Sequence, residues 1–259
     1  MPTTTAPVGA LLRQWRERRR MSQLQLSAEA EISTRHLSFV ETGRSRPTSE
    51  MILRISEHLD IPLRERNGLL LAGGYAPAYP AGELAGMSSV RTVIRQVLSG
   101  HEPHPAVVVD RDWNLVDANR GIGIFLEGAA EELLAPPINV LRLSLHPDGM
   151  APRIANLGEW RAHLLGRLRR QVAATADPAL DRLHRELAGY PCDQPEPEVE
   201  LPGAGEVAVP LRYRHQGREL ALISMTAVFG TPLDVTLAEL AIESFFPADA
   251  ATAEALRQP

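Results

Sequence analysis

Between Gly73 and Pro105 the chain changes character. Gly73-Gly74, Pro77, Pro80, Gly82 and Gly86 come close together, and Pro103 and Pro105 close the stretch. Gly and Pro at this density interrupt both helix and strand patterns, so no element crosses the region unbroken. The chain therefore folds in two parts. The intervening "SSVRTVIRQVLSG" sets Val90, Val93, Ile94 and Val97 on one side of a helix that could pack on either neighbour. The boundaries read from these breaks are 1–75, a linker with one helix over 76–104, and 105–259.

The first part has helical punctuation throughout. Val8, Leu11, Leu12 and Trp15 recur at i, i+3, i+4 and i+7, one apolar stripe. Ser22, Ser33 and Thr48 stand where N-caps are needed for the second, third and fourth helices. Gly43 stops the third helix as a left-handed cap would. The fourth turns Ile52, Ile55 and Leu59 inward. Pro62 opens a fifth, which Gly73 closes. Five short helices joined by short loops make a bundle.

Helices two and three have the order of a helix-turn-helix, which needs an apolar turn residue and a second helix with its outer face free. Leu24, Leu26 and Ala28 are expected inward on helix two, Ile32 plugs the turn, and Leu37 and Val40 pin helix three from behind. That leaves Ser33, Thr34, Arg35 and Ser38 outward, with His36 on the flank. Arg35 has the fork geometry that pairs with guanine, and the hydroxyls suit bases or phosphates. Gln23, at the start of helix two, suits a phosphate. Arg44 and Arg46 follow in the loop as backbone contacts, and Phe39 is either core or a contact to a thymine methyl.

Charge follows the same division. The formal net charge is −5, yet residues 1–78 hold 11 Arg against 8 acids and residues 79–259 hold 16 Arg against 24. The surplus acid lies away from the DNA-reading segment. All 27 basic residues are arginine, a bias that fits a GC-rich genome. A single cysteine, Cys192, rules out an intrachain disulfide and fits a reducing cytosol. No run of apolar residues is long enough to span a bilayer and no signal peptide is read, so a cytoplasmic protein without membrane contact is expected.

The stretch "SQLQLSAEAEISTRHLSFVETGRSRPTSEMILRISEHLDIP" resembles the lambda-repressor-like (Xre-type) DNA-binding domain, over about residues 8–74. Ser22-Gln23, Leu26, Ile32-Ser33, the "FVETG" ending and Pro47 carry the match. Two positions depart from the family pattern: Ser27 where Ala is frequent, and Glu31 where Gly is. Glu31 lacks the freedom of glycine at a turn. A reader followed by a linker and a second domain is expected to act as a homodimer, whose two heads would read half-sites of a double-stranded operator about one helical turn (~34 Å) apart.

From residue 105 the pattern alternates. "PAVVVDRDWNLVDAN" reads as a hairpin turning at Asp110–Asp112. Helices follow, among them "LGEWRAHLLGRLRRQVAA" and "DPALDRLHRELAGY". An acidic, proline-spaced loop, "CDQPEPEVELPG", leads to "GEVAVPLRYRH", "RELALISMTAVFG" and "VTLAELAIESFFP" as strands, and the tail "ADAATAEALRQP" is expected to fray. The class is α+β, an antiparallel sheet with a helical insert. Its one chemically suggestive pair is His146 and Asp148 in "HPDG", which equally makes a turn. No third metal ligand and no nucleotide or hydrolase motif accompanies it. An enzyme with a DNA-binding head, or an adaptor that binds a protein, remain the rival classes to a ligand-binding sensor.

"HPAVVVDRDWNLVDAN", "NVLRLSLHPDGMAPRIANLGEWRAHLLGRLRRQ" and the closing strands resemble the ligand-binding domain of MmyB-like regulators, which is PAS-like and follows an Xre-type domain. No catalytic arrangement stands out, so a regulator without enzymatic activity or cofactor is expected, and the resemblance implies a small, fatty-acid-like ligand. If that ligand has a carboxylate, Arg142, His146 or Arg153 is expected to pair with it, and Trp113 or Trp160 to line the cavity.

Overall fold

The computed structural model describes residues 6–195, 197 and 209–257, and these form two compact units. One takes the chain up to Gly82 together with Thr231–Ala238. The other takes Glu83–Gly230 and the chain from Glu239 onward.

The first unit contains α1 (Val8–Arg18), α2 (Gln23–Glu29), α3 (Thr34–Glu41), α4 (Ser49–His58) and α5 (Leu63–Ala72). Ser22, Ser33 and Thr48 cap α2, α3 and α4 by accepting from the backbone N–H of Gln25, His36 and Met51. Ser22 and Gln25 form a reciprocal capping box, which satisfies two otherwise orphaned donors. Leu12, Trp15, Leu26, Leu37, Ile52 and Ile55 meet in one core. Gly9 lets α1 cross α3 closely, for a Cβ there would lie 2.0 Å from the Val40 carbonyl oxygen.

Helix α2 corrects one expectation. Leu26, Ser27 and Ala30 face inward, while Ala28 is exposed and Leu24 is 70 % exposed. Residues two apart sit about 200° around a helix, so Leu24, Leu26 and Ala28 cannot share a face.

The second unit opens with α6 (Ser88–Gly100), β1 (Ala106–Val109) and β2 (Leu115–Ala118), then α7 (Gly123–Leu126), α8 (Glu131–Leu134), α9 (Val140–Leu145), α10 (Leu157–Thr175) and α11 (Pro178–Ala188). It closes with β3 (Leu211–His215), β4 (Arg218–Val228), β5 (Ala241–Pro247) and, numbered past one further helix, α13 (Ala250–Ala255). The strands form one antiparallel sheet in the order β2-β1-β5-β4-β3. In the β1–β2 turn the Asp110 carboxylate accepts from the backbone N–H of Asp112 and Asn114, at 2.9 and 2.8 Å. Gln216 and Gly217, both at positive φ, close the β3–β4 hairpin. Helix α6 packs on β1 through Ile94 and Leu98, leaving Val93 and Val97 exposed. One sheet face, with Val107, Leu211, Tyr213 and Phe245, joins α7, α9, α10 and α11 in the core.

Two C-terminal expectations change. The tail is ordered into α13, with Asp249 as its cap and Thr252 buried and accepting from the Ala221 N–H at 3.0 Å. "VTLAELAIESFFP" is a strand only from Ala241, because its first residues form the short helix α12 (Val235–Ala238). Most of the acidic loop, and the residues before Val209, lie outside the described residues.

Thr231–Ala238 runs between β4 and β5 but belongs to the first unit. Val235 is 1 % exposed and donates its N–H to the Pro80 carbonyl at 2.8 Å. Thr236 Oγ1 donates to the Gly82 carbonyl at 2.5 Å, and α12 packs against α5.

Candidate DNA-reading helix and ligand cavity

Helix α3 is held from three sides. Leu37 and Val40 enter the core. At its start the backbone enters from Glu31, at φ 53°, and the Ile32 N–H reaches back to the Ser27 carbonyl at 3.0 Å. At its end Gly43 has φ 74°, with Gly43 N–H on Val40 O and Arg44 N–H on Phe39 O. That double closure is a Schellman motif, and it fixes where Arg44 emerges.

A buried ion pair anchors the same end. Arg16 Nε and Nη2 donate to the two oxygens of Glu41 at 2.6 and 2.8 Å, and Gln23 Nε2 donates to Glu41 Oε2 at 2.8 Å. The Glu41 hydrogen bond, with its charge, holds the Arg16 guanidinium pKa above its ordinary value. Residues 37, 40 and 41 form an i, i+3, i+4 inward stripe, so the sequence carried a signal that Glu41 is buried and needs a partner.

The candidate DNA contacts divide accordingly. Arg35, His36 and Arg44 are exposed. The guanidiniums of Arg35 and Arg44 lie 5.4 and 5.9 Å from the Phe39 ring, so one half-buried aromatic carries two cations at the outer surface of α3. Ser38 is half-buried beside them, and Ser33 is exposed while capping the helix. Gln23 is tied to Glu41, and Thr34 Oγ1 lies 2.8 Å from Ser27 Oγ. Arg46 donates twice to the Gly73 carbonyl and stacks over Tyr75, which fastens the loop to the end of α5.

In the second unit, the inner sheet face and the insert helices border an apolar, partly open cavity of about 60 Å³. Trp113 and Trp160 line it, with Phe125, Leu143, Met150 and Phe245. The Trp160 indole donates to Ser144 Oγ at 3.0 Å, and the Trp113 indole donates to Gln171 at 2.7 Å. Among the described residues Glu243 on β5 is the one charged residue in the lining. It takes both oxygens to Arg167 Nη1, at 2.8 and 3.0 Å, while Arg167 Nη2 donates to Thr226 and its guanidinium stacks over Trp113 at 4.5 Å.

Arg142, His146 and Arg153 do not line this cavity. Arg142 makes a paired contact with Glu186, at 2.7 and 2.8 Å, and Tyr190 adds its hydroxyl to the same carboxylate. The Arg142 hydrogen bond holds Glu186 below the ordinary carboxylate range, and burial together with Glu186 pushes Tyr190 up to about 12. His146 Nδ1 accepts from the Asp148 N–H at 3.1 Å, so the "HPDG" turn is closed by its own imidazole. Among the described residues no three His, Cys, Asp or Glu gather as a metal site. Arg153 stacks over Tyr213 at 5.5 Å and faces Glu127 at 3.8 Å. Ser144, Arg167 and Glu243 escaped the sequence reading. Only the alternation of Glu243 with Phe245 along β5 hinted that an acid points inward.

A helix-turn-helix unit followed by an α+β unit with an apolar, partly open cavity has the layout of a ligand-regulated, DNA-binding transcription regulator. Residues 12–66 match the helix-turn-helix family model, and residues 90–258 match that of the MmyB-like transcription regulator ligand binding domain. The second match takes in well over half of the chain, which therefore belongs to the MmyB-like regulators. No curated protein matches the chain. No helix among the described residues is long and apolar enough to cross a membrane.

Proposed function

We propose that the protein reads an operator as a homodimer in the cytoplasm, and that a small, chain-like apolar molecule of the fatty-acid kind in a PAS-like second domain alters that reading. The second domain acts in this scheme by binding, without turnover. The antiparallel sheet with its helical insert supports the PAS-like assignment. Homodimer formation is favoured by the apolar residues exposed on the second unit, Val93 and Val97 on α6 with Met225 on β4 and Phe246 on β5.

The observation that carries the control is the path of the chain through β5. Glu243 and Phe245 line the cavity, and the strand begins three residues after α12, which is packed into the DNA-binding unit. An apolar cavity of roughly 150 Å³ takes up benzene, so a longer chain in this smaller one displaces lining side chains. A ligand that shifts β5 biases α12 directly. Its effect equals the difference in its affinity for the two arrangements, commonly about 1–3 kcal/mol.

Selection of bound duplexes from a random-sequence library by the full-length protein tests the reading. A two-fold symmetric sequence with half-sites about 34 Å apart is expected, with retention changed by medium-chain amphiphiles. Failure to enrich any sequence rejects it.

A further inference from the structure

Trp113 lines the cavity with its backbone at φ 66°, a left-handed conformation that a bulky residue holds only where its surroundings impose it. Two residues one turn apart on α10 grip its ring. The Arg167 guanidinium stacks over it, and Gln171 Oε1 accepts from the indole N–H at 2.7 Å. The Gln171 amide in turn donates to the Arg111 carbonyl at 2.9 Å. Each arginine then ends on an acid of one short run of chain, Arg167 on Glu243 and Arg111 Nη1 on Glu239 at 3.2 Å. Arg111 Nη2 donates to Asp177, whose other oxygen caps α11 by accepting from the Ala179 N–H at 2.7 Å.

Glu239 is the residue that follows α12 and leads into β5. Its side chain is 18 % exposed and that of Arg111 21 %, so water screens this pair less than it would a surface pair. Arg111 therefore stands between a fixed point, the cap of α11, and the chain where it leaves α12. A run of hydrogen bonds and ion pairs couples two places when it has two discrete arrangements. We propose that Arg111 is the positioning residue that carries the state of the cavity to α12, through Glu239. A ligand that displaces Trp113 pulls on Gln171 and on the Arg111 backbone. The guanidinium stays with Asp177 and lets go of Glu239, and the end of α12 is freed without any ligand touching it. The proposal rests on the reading of the second unit as a ligand sensor. It differs from a shift of β5 alone in needing the Glu239 carboxyl group.

Fluorescence anisotropy of the full-length protein on the duplex enriched by the library selection, with and without decanoate, tests it, and calorimetry follows decanoate binding separately. In the wild type decanoate should change operator affinity about fivefold or more. Glu239→Ala should bind decanoate within about twofold of wild type, since no cavity residue is altered, yet hold the operator equally well with and without it. Arg111 keeps Asp177 in this variant, with Asp112 Oδ1 3.9 Å from its Nε, so no charge is stranded, and thermal unfolding checks the fold. Glu239→Gln, which keeps an oxygen for Arg111 Nη1, should recover the response. A Glu239→Ala protein that responds as fully as wild type overturns the proposal and leaves the sensor reading standing. A response lost equally in Glu239→Gln overturns it too, because Arg111 would still have its acceptor there. If decanoate leaves wild-type operator binding unchanged, the sensor reading itself fails and the proposal falls with it.

Discussion

Arg16 and Glu41 lie 25 residues apart and form a paired, two-bond contact inside the first unit, with Glu41 at the last turn of the DNA-reading helix. Removing one member leaves the other buried and charged, and such a loss costs about 3–5 kcal/mol. Glu41→Ala should lower the stability of this unit by that amount in urea unfolding. The double variant Arg16→Met, Glu41→Leu should recover most of it, because it leaves no charge stranded.

Glu31 holds a left-handed backbone, φ 53°, at the turn between α2 and α3. That region costs a side-chain-bearing residue about 1 kcal/mol, and glycine enters it freely. Glu31→Gly is expected to raise the urea midpoint by the equivalent of up to about 1 kcal/mol, with DNA affinity unchanged.

Arg35 and Arg44 flank Phe39 at the outer surface of α3. Replacing Arg35 by Ala should cost about 1–3 kcal/mol of operator binding, as loss of a guanine contact does, and relax sequence preference at one base pair. Arg44→Ala should weaken all sequences alike and reduce the slope of log affinity against log salt by about 1. Fluorescence anisotropy with the enriched duplex and single-base variants separates the two roles. Unaltered binding by Arg35→Ala would exclude this face.

Glu186 titrates below its ordinary value of 4.5 because Arg142 holds its ionised form. A carboxylate with a depressed folded pKa adds stability that is present above its unfolded pKa and disappears as pH falls through the folded one. Thermal stability of the second unit should therefore drop as pH is taken below about 4.5. In Glu186→Gln that drop should be shallower. Both groups are partly exposed, so the difference should shrink in high salt.

Val235 is the buried residue of α12, within the DNA-binding unit. Val235→Asp introduces an unpaired charge where the side chain has almost no access to water. Ligand binding measured by calorimetry should remain within about twofold, since cavity residues are untouched. The effect of ligand on operator affinity should fall toward nothing. A variant that responds to ligand as wild type does would rule out this route.

Local features were the most legible. Ser22, Ser33, Thr48 and Gly43 announce helix ends because a cap bonds within three or four residues of itself. The β1–β2 hairpin is equally local, since Asp110 builds its own turn. What stayed hidden depends on distant partners. Arg167 and Glu243 are 76 residues apart, and only the fold brings the guanidinium onto the carboxylate that lines the cavity. Likewise "VTLAEL" alternates as a strand does, yet its backbone N–H meets Pro80, about 155 residues away, and it turns helical. Arg142 was expected at a ligand carboxylate, but Glu186 comes across from α11 to α9 and takes up its guanidinium.

The membership of Thr231–Ala238 in the first unit also bears on how such a gene can be reshuffled. Regulators with separable heads and sensors can exchange them through one crossover in the intervening DNA. Here a crossover after Gly82 would leave α5 without the helix that covers it and would carry Val235 into a chimera with nothing to bury it. Any graft of the DNA-binding head of this protein onto a foreign sensor therefore has to bring α12 along.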